Sequence, residues 1–343
     1  MKRFVVRSAL VVAIVVFIGI AWLYTAVQWP YRGYTVAEQI VEIPRGSSTG
    51  VIAQRLKDAG VVRSVTAFRV AVYLQKAGGR LQAGEYVFDR PMTAAEVVDK
   101  LRRGDVYLLS ITFREGLTVR QMAKLFAEKG LGTAAEFVRA AADPTRIQPL
   151  DPAAPDLEGY LFPDTYSLPR RTTAPQLVER MVSRFEQALT PEIRQQAAAR
   201  GLGVRELVTL ASIIEKETGK AEERPMVAAV YANRLKIGMG LQCDPTVIYA
   251  LERAGRYTGN LTRDDLRFDS PYNTYRYAGL PPGPIAAPGK ASLAAAANPA
   301  DVPYLYFVSR NDGSHAFAST LDEHNRNVRQ FQVEYFRNQG GGR

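Results

Sequence analysis

From Ser8 to Tyr31 the chain carries no Asp, Glu, Lys or Arg, and most of the stretch is Val, Ile, Ala, Leu and Phe. About 20 such residues, at 1.5 Å rise each, cross a bilayer, so this uniform run predicts a membrane-spanning helix over 8–29. Beyond it the apolar positions become periodic. Val41 to Ala53 aligns within the segment Leu109 to Ala123 when Gly46 is set on Gly116, an offset of 70. Ser48 then falls on Thr118, Ile52 on Met122, Ala53 on Ala123 and Gly60 on Gly130. Each copy reads as an alternating strand, a glycine turn, a Ser/Thr N-cap and a short helix ended by glycine. A unit this small must pack against a neighbouring strand and helix. The strand-like run Leu81 to Phe88 and a capped helix from Thr93 to Arg102 follow the first copy.

Pro144, Pro149, Pro152 and Pro155 interrupt both periodicities, which predicts a linker or hinge. Longer helices are then predicted over Ala174 to Leu189, Pro191 to Arg200, Val204 to Thr218 and Arg224 to Lys236. A Tyr- and Pro-rich stretch runs from Asp269 to Pro288. Tyr304 to Ser309 reads as a strand, and His324 to Arg337 as a closing helix. The pattern predicts an α+β protein on a membrane stalk.

Charge orients the stalk. Lys2, Arg3 and Arg7 precede the apolar run and only Arg32 follows closely, which places the N-terminus in the cytoplasm and the body outside. Trp22, Tyr24 and Trp29 suit an interfacial belt at its outer end. A cleaved signal peptide would have a shorter apolar core and a small-x-small site, which the run into Trp29 lacks. The net charge of +10 suits an acidic partner. An extracytoplasmic body argues against nucleic acid and, in a bacterium, for the cell wall. One cysteine, Cys243, excludes an internal disulfide framework and a thiolate zinc cluster. His315 and His324, nine apart, lack metal-ligand spacing and read as surface or hydrogen-bonding residues, so neither a metal nor a cofactor is expected.

Two motifs fail on inspection. Gly46-Ser47-Ser48-Thr49-Gly50 fits G-x-S-x-G, but the repeat explains Ser48 as a helix cap, as it does Thr118. Gly283 to Ala291 resembles a phosphate-binding loop, with one residue too many between its glycines and Ala after Lys290.

The segment best suited to chemistry is Val204 to Gly219. Its helical wheel has a wide apolar stripe from Leu207, Val208, Leu210, Ala211, Ile213 and Ile214. Glu215 borders that stripe in the last turn, where desolvation and the negative helix end both raise a carboxyl pKa, as a general acid requires. The competing reading is a solvated glutamate beside Lys216. Glu217 lies about 200° around the same wheel, so the two carboxyls do not flank one bond as a glycosidase pair does.

Several segments together resemble the endolytic murein transglycosylases, the MltG/YceG-like family. They are Leu210-Ala-Ser-Ile-Ile-Glu-Lys-Glu-Thr, Leu241-Gln-Cys-Asp-Pro-Thr-Val-Ile-Tyr, Ser270-Pro-Tyr-Asn-Thr-Tyr with Gly279-Leu-Pro-Pro-Gly-Pro-Ile, Leu157-Glu-Gly-Tyr-Leu-Phe-Pro-Asp-Thr-Tyr and Tyr304-Leu-Tyr-Phe-Val. The likeness covers nearly the whole chain. Cys243 departs from it, standing where Thr or Ser is common, with little consequence expected. The resemblance implies a cytoplasmic N-terminus (1–7), the anchor (8–29), a LysM-like α/β subdomain (38–108), a second repeat unit with the Pro-rich hinge (109–155) and a mainly helical α+β catalytic domain (156–338). It implies cleavage of the β-1,4 bond between N-acetylmuramic acid and N-acetylglucosamine in nascent strands, leaving 1,6-anhydro ends and terminating elongation. Glu215 matches the family's catalytic glutamate, acting first as acid and then as base toward the muramoyl 6-hydroxyl. Gln242, Asp244, Tyr272, Asn273 and Tyr275 carry groups suited to a sugar groove, with helix capping and a rigid loop as the alternative. Glu217 either positions the surroundings of Glu215 or forms a surface ion pair. The expected location is the inner membrane with an extracytoplasmic body, and the expected partners are glycan strands and peptidoglycan synthases. The competing function is a non-catalytic wall-binding scaffold.

Overall fold

The computed structural model describes residues 2–335 and 337, with side chains described from Leu10 onward except Val11. It is an α+β protein in two compact units, Met1–Ser110 with Ser167–Arg171, and Ile111–Tyr166 with Thr172–Arg343. The expected end of the last region at 338 lies outside the described residues.

The first unit begins with helix α1 (Lys2–Gln28). Leu10, Val12, Ile14, Phe17, Ile18, Ile20 and Trp22 are exposed along it, whereas Ala26 and Val27 in its last turn join the core. Part of the expected span (Ser8, Ala9 and Val11) lies outside the described side chains. Among the described residues no helix is long and apolar enough to cross a membrane.

Strand β1 (Gln39–Ile43), helices α2 (Thr49–Asp58) and α3 (Val65–Leu74), strand β2 (Gly84–Phe88) and helix α4 (Ala94–Arg103) follow. β1 and β2 pair antiparallel with Val41 opposite Tyr86. Alternate residues of the pair, Val41, Ile43, Tyr86 and Phe88, are buried with Leu56, Phe68, Val97 and Leu101. Ser48 caps α2 by accepting the Val51 N–H, and Thr93 with Glu96 forms a capping box on α4.

The same order returns in β3 (Leu108–Thr112), α5 (Val119–Glu128), α6 (Ala134–Ala141) and β4 (Thr165–Pro169). β3 pairs with β4, Thr112 meeting Thr165 and Ser110 meeting Ser167, which makes the pair antiparallel. The sequence repeat is therefore wider than its strand and first helix. Its equivalent glycines adopt equivalent left-handed backbone, φ 76° at both Gly46 and Gly116, and 69° and 68° at Gly60 and Gly130. Side chains would strain there, which is why glycine recurs at that interval. The boundary between the two units falls within this ribbon.

Residues 144–155, expected as a linker or hinge, are packed turns. Ile147 is buried, and Asp151 accepts from Tyr160 Oη at 2.6 Å and from Arg205 Nε and Nη2 at 2.9 and 2.7 Å. Prolines stop regular structure here, as read, but the buried ion pair fixes the turns in place.

Helices α7 (Ala174–Ala188), α8 (Pro191–Ala199), α9 (Val204–Glu217) and α10 (Arg224–Lys236) match the predicted ranges within a residue. Also present are α11 (Asp244–Arg253), α12 (Lys290–Ala297), an antiparallel hairpin of β5 (Tyr306–Ser309) and β6 (His315–Ala318), and α13 (Leu321–Val328). The closing helix thus starts three residues before the expected His324, and it changes to a π-helical segment at Arg329–Glu334. α9 is the central helix of this unit, with α8, α10, α11 and α12 packed against it. Every residue from Leu207 to Ile214 is buried.

Candidate functional site

The end of α9 carries two carboxyls into different surroundings. Glu217 lines a cleft of about 280 Å³ together with Tyr231 and Arg234 of α10, Leu241, Gln242, Asp244, Tyr275, Phe307 of β5 and His324 of α13. Its Oε1 accepts from Tyr231 Oη at 2.7 Å and from Cys243 Sγ at 2.9 Å. Burial pushes both donors' pKa values up, so both keep their protons. Oε2 makes no hydrogen bond within the described chain and is not buried without a partner. Burial also raises the pKa of the Glu217 carboxyl, and the Asp244 charge adds to this, while its two hydrogen bonds and His315 pull it down. One oxygen is held and the other is open, on a carboxyl that burial keeps protonated above its ordinary range. That combination is what a general acid needs.

Local sequence builds the opposite wall. Around residues 241–244 the chain alternates, Leu241 and Cys243 buried, Gln242 and Asp244 exposed. Gln242 sits at φ 50°, a conformation that costs energy for a residue with a Cβ, and its N–H donates to the Thr274 carbonyl at 3.1 Å. Asp244 starts α11, with Pro245 at a position where a missing N–H does no harm. Its Oδ1 accepts from Tyr275 Oη at 2.6 Å. Arg234 ties two cleft segments together through Nη1 to the Leu241 carbonyl (2.6 Å) and Nε to the Leu305 carbonyl (2.7 Å).

Glu215, the residue expected to act as acid, is placed elsewhere. Arg224 Nη2 donates to its Oε1 at 3.1 Å, and the Gly289 N–H at the start of α12 donates to its Oε2 at 2.9 Å. The Glu215 and Arg224 side chains are 5% and 9% exposed. Glu115 stands on the same arginine at 3.7 Å. Burial and then the Glu215 charge push the Glu115 carboxyl up, against the pull of Arg224. Both oxygens of Glu215 therefore accept from donors, and this nearly buried carboxyl ties α9 to α10 and α12. A helical wheel gives the angle between the two carboxyls but not what packs at either angle, and here residues 207–214 of α9 are all buried while Glu206 and Lys216 stay exposed.

Of the other expected residues, Gln242, Asp244 and Tyr275 do come together in the cleft, with Glu217. Asn273 does not: it is fully buried, and its Nδ2 donates to the Leu266 and Phe268 carbonyls, so it braces its own loop. Tyr272 instead packs on Tyr249 with ring centroids 5.0 Å apart, under Arg253. Cys243 matters more than expected, since it touches Glu217. His315 is a half-buried partner of Glu223 (Nδ1 to Oε2, 2.7 Å), which also accepts from Thr218 Oγ1 next to Glu217. Sequence reasoning missed Tyr231, Arg234, Phe307 and His324 as cleft residues. Their only sequence signal is an aromatic or basic side chain on a distant element. Among the described residues no cluster of His, Cys, Asp and Glu has the makings of a metal site.

Known proteins place this arrangement in context. The YceG-like family model matches residues 41–330. The endolytic murein transglycosylase of Bacillus subtilis is 35% identical over 301 residues, which cover 83% of this chain and 82% of that protein. Its counterpart in Streptococcus pneumoniae is 32% identical over 319 residues, 84% of this chain and 57% of that longer one. The crystal structure of a yceG-like protein from Listeria monocytogenes superposes with a TM-score of 0.58 at 33% identity, covering 84% of this chain and 98% of that one.

Proposed function

Because the chain belongs to the YceG-like family, we propose that it is an endolytic murein transglycosylase in which Glu217, not Glu215, carries the proton. The observation that supports this most directly is the Glu217 carboxyl in the cleft, one oxygen held by Tyr231 and Cys243 and the other free of intrachain bonds. In the proposed reaction Glu217 protonates the glycosidic oxygen between N-acetylmuramic acid and N-acetylglucosamine as that bond breaks. The carboxylate left behind then takes the proton of the muramoyl 6-hydroxyl, whose oxygen closes a 1,6-anhydro ring at the former anomeric carbon. The acid is regenerated, and no water is consumed. Gln242 and Tyr275 offer hydrogen bonds to the sugar, and Asp244 supplies negative charge near the developing oxocarbenium ion.

Asp244, in the same cleft as Glu217, supports hydrolysis as a second reading, because paired carboxyls with room for water hydrolyse glycosides. The products decide. Mass spectrometry of digested glycan strands should show 1,6-anhydro-muramoyl ends. Reducing ends in their place would reassign the protein as a hydrolase.

The cellular setting is part of the same proposal. The exposed apolar residues of α1 between Leu10 and Trp22 support an inner-membrane anchor with the N-terminus in the cytoplasm. The catalytic region would then face the periplasm, where nascent strands emerge beside their synthases, and cleavage there would end elongation. Residues 38–108, which include the strand–helix–helix–strand run from β1 to β2, are the proposed LysM-like region, a candidate second contact with glycan. Membrane fractionation with protease protection tests the topology, and loss of membrane association only after removal of residues 1–29 is the expected result.

A further inference from the structure

Among the described residues three side-chain polar atoms are buried without a hydrogen-bond partner, Glu85 Oε2, Thr209 Oγ1 and His324 Nδ1. Folded proteins seldom leave such atoms alone, and each one asks for a reason. Of the three residues, His324 is the one that lines the Glu217 cleft. Its ring stacks on Tyr306 of β5, with centroids 5.1 Å apart and planes inclined by 22°. The Arg234 guanidinium lies over the same tyrosine at 5.5 Å. The second ring nitrogen, Nε2, makes no hydrogen bond within the described chain and is not among the buried orphans. His324 thus presents one accessible nitrogen in a cleft while its other nitrogen is sealed away.

The chemistry of the ring follows from these neighbours. Burial and then the Arg234 charge push its pKa below the ordinary histidine value, so the imidazole is neutral at neutral pH. A neutral ring has one N–H and one lone pair. Orphaned buried donors are rarer than orphaned buried acceptors. The lone pair therefore belongs on Nδ1 and the hydrogen on Nε2. Stacking on Tyr306 fixes the ring plane, which sets the direction of that donor before any ligand arrives.

We infer that His324 is a specificity-determining residue of the cleft, donating from Nε2–H to an uncharged carbonyl oxygen of the bound glycan. The acetamido carbonyl, which both sugars of murein carry, is the acceptor of that kind. A carboxylate would be met better by an imidazolium, and Arg234 opposes that charge. This inference rests on the cleft being the glycan site.

The test uses the full chain and two glycan substrates. His324→Phe keeps the stacking surface and removes the donor, and His324→Gln restores an N–H at similar reach. On N-acetylated strands His324→Phe should raise KM about tenfold with kcat within about threefold, and His324→Gln should recover most of the loss. On de-N-acetylated strands the wild type should lose about tenfold in kcat/KM and His324→Phe should lose little more. Equal losses in the two enzymes would overturn the acetamido pairing. An unchanged KM in His324→Phe, with or without a lower Tm, would reduce the residue to packing and overturn the inference. Failure of the underlying reading shows differently: Glu217→Gln would stay active, and the inference would go with it.

Discussion

The two flanks of the last turn of α9 differ more than their two-residue separation suggests. On one flank, Glu215 meets Arg224, the N–H of Gly289 and the neighbouring carboxyl of Glu115, and both its oxygens accept hydrogen bonds. On the other, Glu217 meets a tyrosine, a thiol and a cleft, and one oxygen stays open. The first flank surrounds a carboxylate with donors and a cation, which is how a protein builds a joint. The second desolvates a carboxyl beside another negative charge, which is how a protein builds an acid. Side-chain identity is the same in both, so the neighbours alone set the two flanks apart.

The largest expected effect tests that separation directly. Glu217→Gln keeps size and can still accept from Tyr231, but it can neither give nor take the proton. Turnover of glycan strands should fall by at least about 10²–10⁴-fold, with circular dichroism and strand binding near normal. Glu215→Gln, assayed as folded protein, should keep turnover within about tenfold. Comparable loss from both would erase the distinction between the flanks.

Stability should show the reverse order. Arg224→Met leaves the buried Glu215 carboxylate without its cation and should cost about 3–5 kcal/mol in urea unfolding. Tyr231→Phe removes one hydrogen bond from Glu217 and should cost about 1 kcal/mol. If Arg224→Met unfolds like the wild type, Glu215 is not the joint described.

A third buried carboxyl separates burial from catalysis. Glu158 accepts from the Val119 N–H and Tyr249 Oη, and burial, its main influence, raises its pKa to about 7. Its folded value exceeds its unfolded one, so the folded state holds the proton longer. Its contribution to stability is complete below the ordinary value of 4.5 and is lost as pH rises to about 7. Glu158→Gln should flatten that part of the Tm-against-pH curve while leaving the pH dependence of turnover in place. A shifted pH–rate profile in this variant would mean that Glu158, not Glu217, sets it.

Cys243→Ser should give the smallest effect. A hydroxyl donates a stronger hydrogen bond than a thiol, and a stronger donor to the carboxylate lowers the Glu217 pKa. Activity needs protonated Glu217 and fails as pH rises through that pKa, so the alkaline limb should move to lower pH by less than about one unit. A shift to higher pH would contradict the donor geometry at Oε1.

Much of the backbone was legible because its signals are local. Ser48, Thr93 and Thr118 announced their helices by capping, Gly46 and Gly116 marked one turn twice, and the four helices from 174 to 236 followed from periodicity. The returning strands β4 and β6 were missed, since short strands carry little periodic signal. α3, α6 and α12 were also missed, and their apolar or alanine-rich stretches lack the long amphipathic pattern used for the others. At the site, one motif match and one inventory of polar and aromatic groups pointed to Gln242, Asp244, Tyr272, Asn273 and Tyr275 alike. The fold brings the first two and Tyr275 into the cleft, while Asn273 bonds within its own loop and Tyr272 packs on Tyr249.

The sequence by itself determined the α+β class, the boundaries of the four helices from 174 to 236, the repeat and the segment of α9 that carries both candidate glutamates. Only the tertiary structure decided which of its two glutamates faces the cleft. A helix wheel fixes the angle between two side chains, and nothing in it says what stands at either angle. Here Gly289, 74 positions beyond Glu215, closes one flank with its N–H, while Phe307 and His324, from further still along the chain, complete the cleft on the other.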